Sequence, residues 1–213
     1  MADPDDSEAL EADSQSAEGG VQSTERGPKS AGAGSEKSGD REVSIDSPDL
    51  DAVDALVDLW VALASDQRAH DSHVLPDENR AVVRDTLARH AVTGGIRVAR
   101  RDGDIVGFVT FGIERGAYEQ DETRGVVRNV YVDPTARGDG VGTALMDAAE
   151  SSLRAAGATV LSLEAMAANR RAREFYRERG YEPHRVQFEK PADGGAVTAS
   201  DPPAENDTHS KED

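Results

Sequence analysis

The sequence predicts an α/β domain over residues 41–190 between two acidic tails, and three observations carry that reading. Short apolar runs alternate with stretches whose apolar residues recur every three or four positions, in the order βααβββαβαβ. The run Val130-Tyr131-Val132 stops at Asp133-Pro134, and Gly138, Gly140 and Gly142 then lead into Thr143-Ala144-Leu145-Met146, which reads as strand, glycine-rich turn and helix start. Residues 1–40 and 191–213 hold few large apolar groups and many acids, Ser and Gly. Such segments cannot bury enough surface to offset the entropy of ordering, so both tails are expected to be disordered.

In chain order, Glu42 to Ile45 is a short candidate strand. Ser47-Pro48-Asp49 supplies an N-cap, a proline at the first helical position and an acid in the first turn. Leu50, Val53, Leu56, Val57, Trp60 and Leu63 then form one apolar stripe, so a helix is expected to about Ala64, with Asp51, Asp54 and Asp58 on its exposed face. Gln67 to His73 reads as a polar loop. His70, Asp71 and His73 could in principle hold a metal, but two histidines in a loop are more often simply solvated. A second helix is expected from Asp77 to about His90, with Val82, Val83 and Leu87 inward and Gly94-Gly95 ending it. Ile96 to Arg100 and Ile105 to Ile113 form a hairpin across Asp102-Gly103.

A long polar loop, Glu114 to Thr123, precedes the strand Gly125 to Val132. The helix at the glycine-rich turn is expected from Gly140 to Ala156, with Val141, Leu145, Ala148, Ala149 and Leu153 inward. The strand Thr159 to Glu164, a short helix after Asn169 stopped at Gly180, and a final strand from Tyr181 to Glu189 complete the domain.

Residues 1–40 hold ten acids and three bases, and 191–213 six acids and one base, so two thirds of the formal charge of −18 lies in the tails. A nucleic-acid partner is disfavoured, because phosphate would be repelled. Lys29, Lys37, Lys190 and Lys211 are the only lysines. Aspartate richness with so few lysines resembles the acidic proteome of halophilic, salt-rich cytoplasm, where ionic strength screens self-repulsion. The chain has no cysteine, which excludes disulfides, a thiol nucleophile and Cys-ligated metal. No long apolar segment suggests a membrane span, and the acidic N-terminal stretch lacks the features of a signal peptide, so a cytoplasmic location is expected.

The strand–turn–helix junction has a chemical meaning. The first N–H groups of a helix have no intrahelical partner, and they lie at the positive end of its dipole, so a phosphate can accept several hydrogen bonds there. A P-loop would need Lys-Ser/Thr after its last glycine, whereas Gly142 is followed by Thr143-Ala144. The dinucleotide fingerprint G-x-G-x-x-G is a poor match to Gly138-Asp139-Gly140-Val141-Gly142. The run Arg137-x-x-Gly140-x-Gly142 resembles the acetyl-coenzyme A loop of the GCN5-related N-acetyltransferase (GNAT) family. Downstream, Asn169-Arg170-Arg171-Ala172-Arg173-Glu174-Phe175-Tyr176-Arg177-Glu178-Arg179-Gly180-Tyr181 resembles a second segment of the same family, in the family's order.

That resemblance implies a three-layer α/β/α sandwich with a mixed, splayed central sheet, and acetyl-CoA as co-substrate with no metal. It implies that Val130, Tyr131 and Val132 line the cofactor arm, with main-chain contacts from Val130 and Val132. Arg137, Gly138, Asp139, Gly140, Val141, Gly142 and Thr143 would give N–H groups to the pyrophosphate, with the Asp139 carboxylate pointing away into solvent. Asn169 would bond the pantetheine arm while also serving as a helix N-cap. Tyr176 would be the general acid, and Glu164, by its resemblance to the ribosomal-protein N-terminal acetyltransferases, a base acting through water. Ala165 and Met166 depart from that subgroup's usual residues, so the acceptor stays open between a peptide N-terminus and a small-molecule amine. A homodimer is an analogy with many relatives. The rival reading is a non-catalytic acetyl-CoA sensor or interaction module on the same fold.

Overall fold

A computed structural model describes residues 42–192, except 117. The expected tails lie outside the described residues, apart from the first two positions of the second. Five strands form one sheet in sequential order: β1 Val43–Asp46, β2 Ile96–Arg101, β3 Asp104–Ile113, β4 Arg124–Val132 and β5 Val160–Leu163. The first four are antiparallel, and β4 and β5 run parallel, which makes the sheet mixed. Four helices flank it: α1 Val53–Arg68, α2 Arg80–Thr93, α3 Val141–Ala155 and α4 Arg170–Glu178.

Strand alternation sends side chains to two faces and so builds two cores. On one face Ile96, Val98, Phe108 and Tyr131 pack with Val53, Leu56, Val57 and Leu63 of α1 and with Val83 and Leu87 of α2. On the other, Ala99, Val109, Phe111 and Val127 pack with Val141, Leu145, Met146, Ala149 and Leu153 of α3. Helices on both faces give the expected three layers. Leu56, Phe108 and Leu145 are wholly buried, each contributing on the order of 1.5–3 kcal/mol by leaving water.

The hairpin between β2 and β3 turns where expected, with positive φ at both Asp102 and Gly103, as a tight I′-type turn requires. Gly94 closes α2 in the left-handed conformation.

Five local expectations are corrected. Asp49, not Ser47, caps the first helical turn, accepting from the Ala52 N–H at 3.1 Å, and a 3-10 turn over Leu50–Ala52 leads into α1. Leu50 is exposed, and α1 continues to Arg68. Val82 is exposed on α2, where only Val83 and Leu87 are buried. The last expected strand, Tyr181 to Glu189, makes no ladder. The N–H of Tyr181 closes back on Tyr176 O at 3.0 Å, and Pro183 has no N–H to donate. Val186 and Phe188 alternate as a strand would, yet both are exposed, because alternation marks a face without supplying a neighbour to pair with.

Candidate active site

The site begins where the sheet stops pairing. Strand β4 pairs with β5 only from Arg124↔Val160 to Val127↔Leu163. Beyond Val127 the edge of β4 facing β5 has no ladder, so the sheet is splayed. The Asp133 N–H donates to Val106 O at 2.8 Å, and Val132 stands opposite Gly107 in the register. In an antiparallel ladder successive residues alternate between bonding the neighbour and turning away from it. Tyr131 therefore bonds toward β3, and the main-chain groups of Val130 and Val132 turn into the opening. Tyr131, expected to line the cofactor arm, buries its ring beside Phe108 in the core covered by α1 and α2.

The glycine-rich loop closes the top of that opening. Gly138 and Gly140 take φ of 95° and 77°, and a Cβ at either would meet no heavy atom within 4 Å, so the space before them is open. A Cβ at Gly142 would lie 3.7 Å from Phe175 Cζ and 3.8 Å from Val132 Cγ2, which sets α4 and β4 on either side of the loop. None of the six consecutive N–H groups from Gly138 to Thr143 donates to an acceptor among the described residues; the first turn of α3 begins with Ala144 N–H on Gly140 O at 3.0 Å. These six free donors form a row at a helix head, a geometry that suits an anion. The Arg137 N–H is not part of it, since it turns to Pro134 O at 3.4 Å. The Arg137 side chain braces the loop instead: Nε donates to Val132 O at 2.8 Å, and a terminal nitrogen to Asp66 Oδ2 of α1 at 2.9 Å.

Asp139 does not simply point into solvent. Its Oδ2 accepts from a terminal nitrogen of Arg101, at the end of β2, at 2.8 Å.

Asn169 caps α4, its Oδ1 accepting from the Ala172 N–H at 3.0 Å, which leaves its amide NH2 without an acceptor among the described residues. Tyr176 lies seven residues on, two turns along, and so shares a face with it. Its ring packs between Phe175 and Tyr181, at centroid distances of 5.4 and 6.1 Å. Burial raises the phenol above its usual pKa of 10, and its hydroxyl meets no hydrogen-bond partner among the described residues. Glu164 stands exposed just past β5. His70, Asp71 and His73 do not assemble into a metal-binding group; His73 instead meets Glu189 at 3.1 Å.

Sequence reasoning missed one buried acid. Glu150 of α3 accepts from Arg154 at 2.8 Å, from Arg179 at 3.0 Å and from the Tyr181 hydroxyl at 3.3 Å, tying the end of α4 to α3. It falls one position past Ala149 on the inward stripe, and only the arginine of the distant Arg-Gly-Tyr turn explains its burial.

A mixed five-stranded sheet, splayed between its parallel strands and covered by helices on both faces, is the architecture of an acyl-CoA N-acyltransferase fold. The model of the Acetyltransferase (GNAT) family matches residues 57–181, more than half of the chain, and the chain belongs to that family. Among curated proteins it is 33% identical over 140 residues to the mycothiol acetyltransferase of Sanguibacter keddieii, covering 63% of this chain but 44% of that protein. It is 31% identical over 140 residues to the IAA acetyltransferase of Azospirillum brasilense, covering 65% of this chain and 82% of that one. The chain thus spans less than half the length of the first of these relatives. Among solved structures, a GCN5-related N-acetyltransferase from Ralstonia eutropha JMP134 superposes with a TM-score of 0.57 at 22% identity, covering 72% of this chain and all of that one. No helix among the described residues is long and apolar enough to cross a membrane.

Proposed function

We propose that this chain is an acetyl-CoA-dependent N-acetyltransferase that acts on a primary amine by direct attack in a ternary complex. The observation that carries the reading is the row of six unpartnered N–H groups, Gly138 to Thr143, opening beside the unpaired edge of β4. The residues present fit the cofactor: the cradle suits its diphosphate, and the inward main-chain groups of Val130 and Val132, with the Asn169 amide, suit an amide-bearing arm. Acetyl-CoA supplies an activated thioester.

In the proposed reaction the amine nitrogen bonds to the acetyl carbon as the carbon–sulfur bond breaks. Main-chain N–H groups of β4 polarise the thioester carbonyl. The Tyr176 phenol, held protonated by burial, gives its proton to the leaving thiolate. An amine must be neutral to attack. A lysine side chain lies roughly 3 units above neutral pH, equivalent to about 4 kcal/mol, whereas an α-amino group is already partly neutral. Glu164 takes that proton through water, a role suited to its exposed position past β5. The acceptor is a protein N-terminus or a small-molecule amine.

Thiol release measured with acetyl-CoA across a panel of peptides and small amines tests this. Turnover on at least one amine, lost in Tyr176→Phe and reduced in Glu164→Gln, is the expected result. If both variants match the unaltered protein on an identified acceptor, the mechanism is wrong. Tight binding of acetyl-CoA with no turnover on any amine would make the chain a sensor on the same fold.

A further inference from the structure

Asp139 sits between Gly138 and Gly140, in the middle of the segment whose free N–H groups form the cradle. A carboxylate there repels the diphosphate that those groups would bind. Its partner comes from the far side of the sheet order. Arg101 ends β2, its backbone set by pairing with Val43 of β1 and Asp104 of β3. It shares the sheet face of Ala99, the face covered by α3, and so reaches the head of that helix. The Arg101 side chain is 13% exposed and that of Asp139 57%. One terminal nitrogen donates to Oδ2 at 2.8 Å, while the buried Nε has no acceptor among the described residues. The guanidinium is thus mostly buried, while the carboxylate that meets it lies largely in solvent.

We propose that Arg101 is a positioning residue for the cofactor's diphosphate: it cancels the one negative charge within the cradle and draws Asp139 off the anion's approach. This rests on the acetyl-CoA reading given above. The two partners of this pair then act on affinity with opposite signs, because one attracts the anion and the other repels it. An ion pair that only braced the loop would give the same sign for both, since either change breaks the same bond.

The experiment is calorimetric titration of the apo protein with acetyl-CoA at fixed salt, with unfolding midpoints recorded alongside. Arg101→Met weakens binding by about tenfold, as expected for losing one nearby unit charge. Asp139→Asn tightens it, and the double variant Arg101→Met/Asp139→Asn returns to within about twofold of the original. Arg101→Lys keeps the charge and stays within about threefold. Molar salt shrinks the tenfold gap. If the unaltered protein does not bind acetyl-CoA, the cradle reading fails and this inference with it. If it binds, and Arg101→Met binds equally well or Asp139→Asn binds more weakly, the inference alone is overturned. Should Arg101→Met not fold, Asp139→Asn and Arg101→Lys decide: weaker binding in the first or a tenfold loss in the second refutes it.

Discussion

Gly140→Ala separates the work of the cradle from its conformational cost. Gly140 is the residue from which α3 starts, at φ 77°, and a Cβ there meets nothing within 4 Å. The protein therefore suffers no internal clash. A left-handed alanine costs about 1–2 kcal/mol. At about 2–4 °C per kcal/mol for a chain of this size, the melting temperature falls by about 2–8 °C. On the acetyl-CoA reading the open space is also the anion's approach, and a methyl group there costs at least one charge-assisted hydrogen bond. That is about 1.5–3 kcal/mol, or a roughly 10- to 150-fold weaker Kd for acetyl-CoA. Gly157→Ala is the control: Gly157 also has positive φ, 90°, with nothing within 4 Å, but it lies past the far end of α3. Calorimetric titration and thermal melts of both variants should show similar losses of stability and a loss of affinity in Gly140→Ala alone. Equal affinity in the two would refute the placement of the diphosphate.

Other expected outcomes follow from the same contacts. Tyr176→Phe lowers kcat by about 10²–10⁴ and leaves the urea midpoint unchanged, because the hydroxyl has no partner among the described residues to lose; since burial raises the phenol pKa above 10, it also leaves the limbs of the pH–kcat profile between pH 6 and 9 in place. A new limb in that range would count against the assignment. Glu150→Leu strips Arg179 and Tyr181 of a buried carboxylate and costs about 3 kcal/mol or more, read as a lower urea midpoint; Arg179 also pairs with Asp147 of α3, and a loss below about 1 kcal/mol would show that this second carboxylate suffices. His90 has its pKa lowered by burial first, then by Arg128 and Arg89. Its neutral form is thus favoured by folding, so that contribution to stability is complete above the unfolded pKa near 6.5 and is lost as pH falls through the lower folded value. Urea midpoints at pH 7.5 and pH 5 should differ less in His90→Gln than in the unaltered protein, and an identical difference would sink this account.

Much of the fold was legible because its signals are local. The stripe through Val53, Leu56, Val57 and Leu63, the Asp102-Gly103 turn and the three alternate glycines each act within a few residues. Expectations failed where a partner distant in sequence decides. Tyr181 to Glu189 reads as a strand, yet Val186 and Phe188 find no neighbour. Leu50 and Val82 keep the helical spacing but fall at the margin of the core, where periodicity cannot say how wide the buried stripe is. Within the site, the loop and the Asn169 and Tyr176 segment were legible as motifs. The Arg101–Asp139 bond and the role of Arg137 as a brace were not, since both depend on which strand or helix stands beside the loop.

The sheet's incomplete zipper also sets a rhythm of solvent access along one strand. From Tyr131 to Val132 the amide passes from a hydrogen bond within the ladder to a free edge, although both residues lie in the same strand of the central sheet. In deuterium, the amide of Tyr131 should stay protonated long after those of Val130 and Val132 have exchanged, and acetyl-CoA should slow the two fast ones selectively. On the proposed reading the thioester substrate takes the place of a missing neighbouring strand, and the unliganded protein leaves that edge of β4 open to solvent.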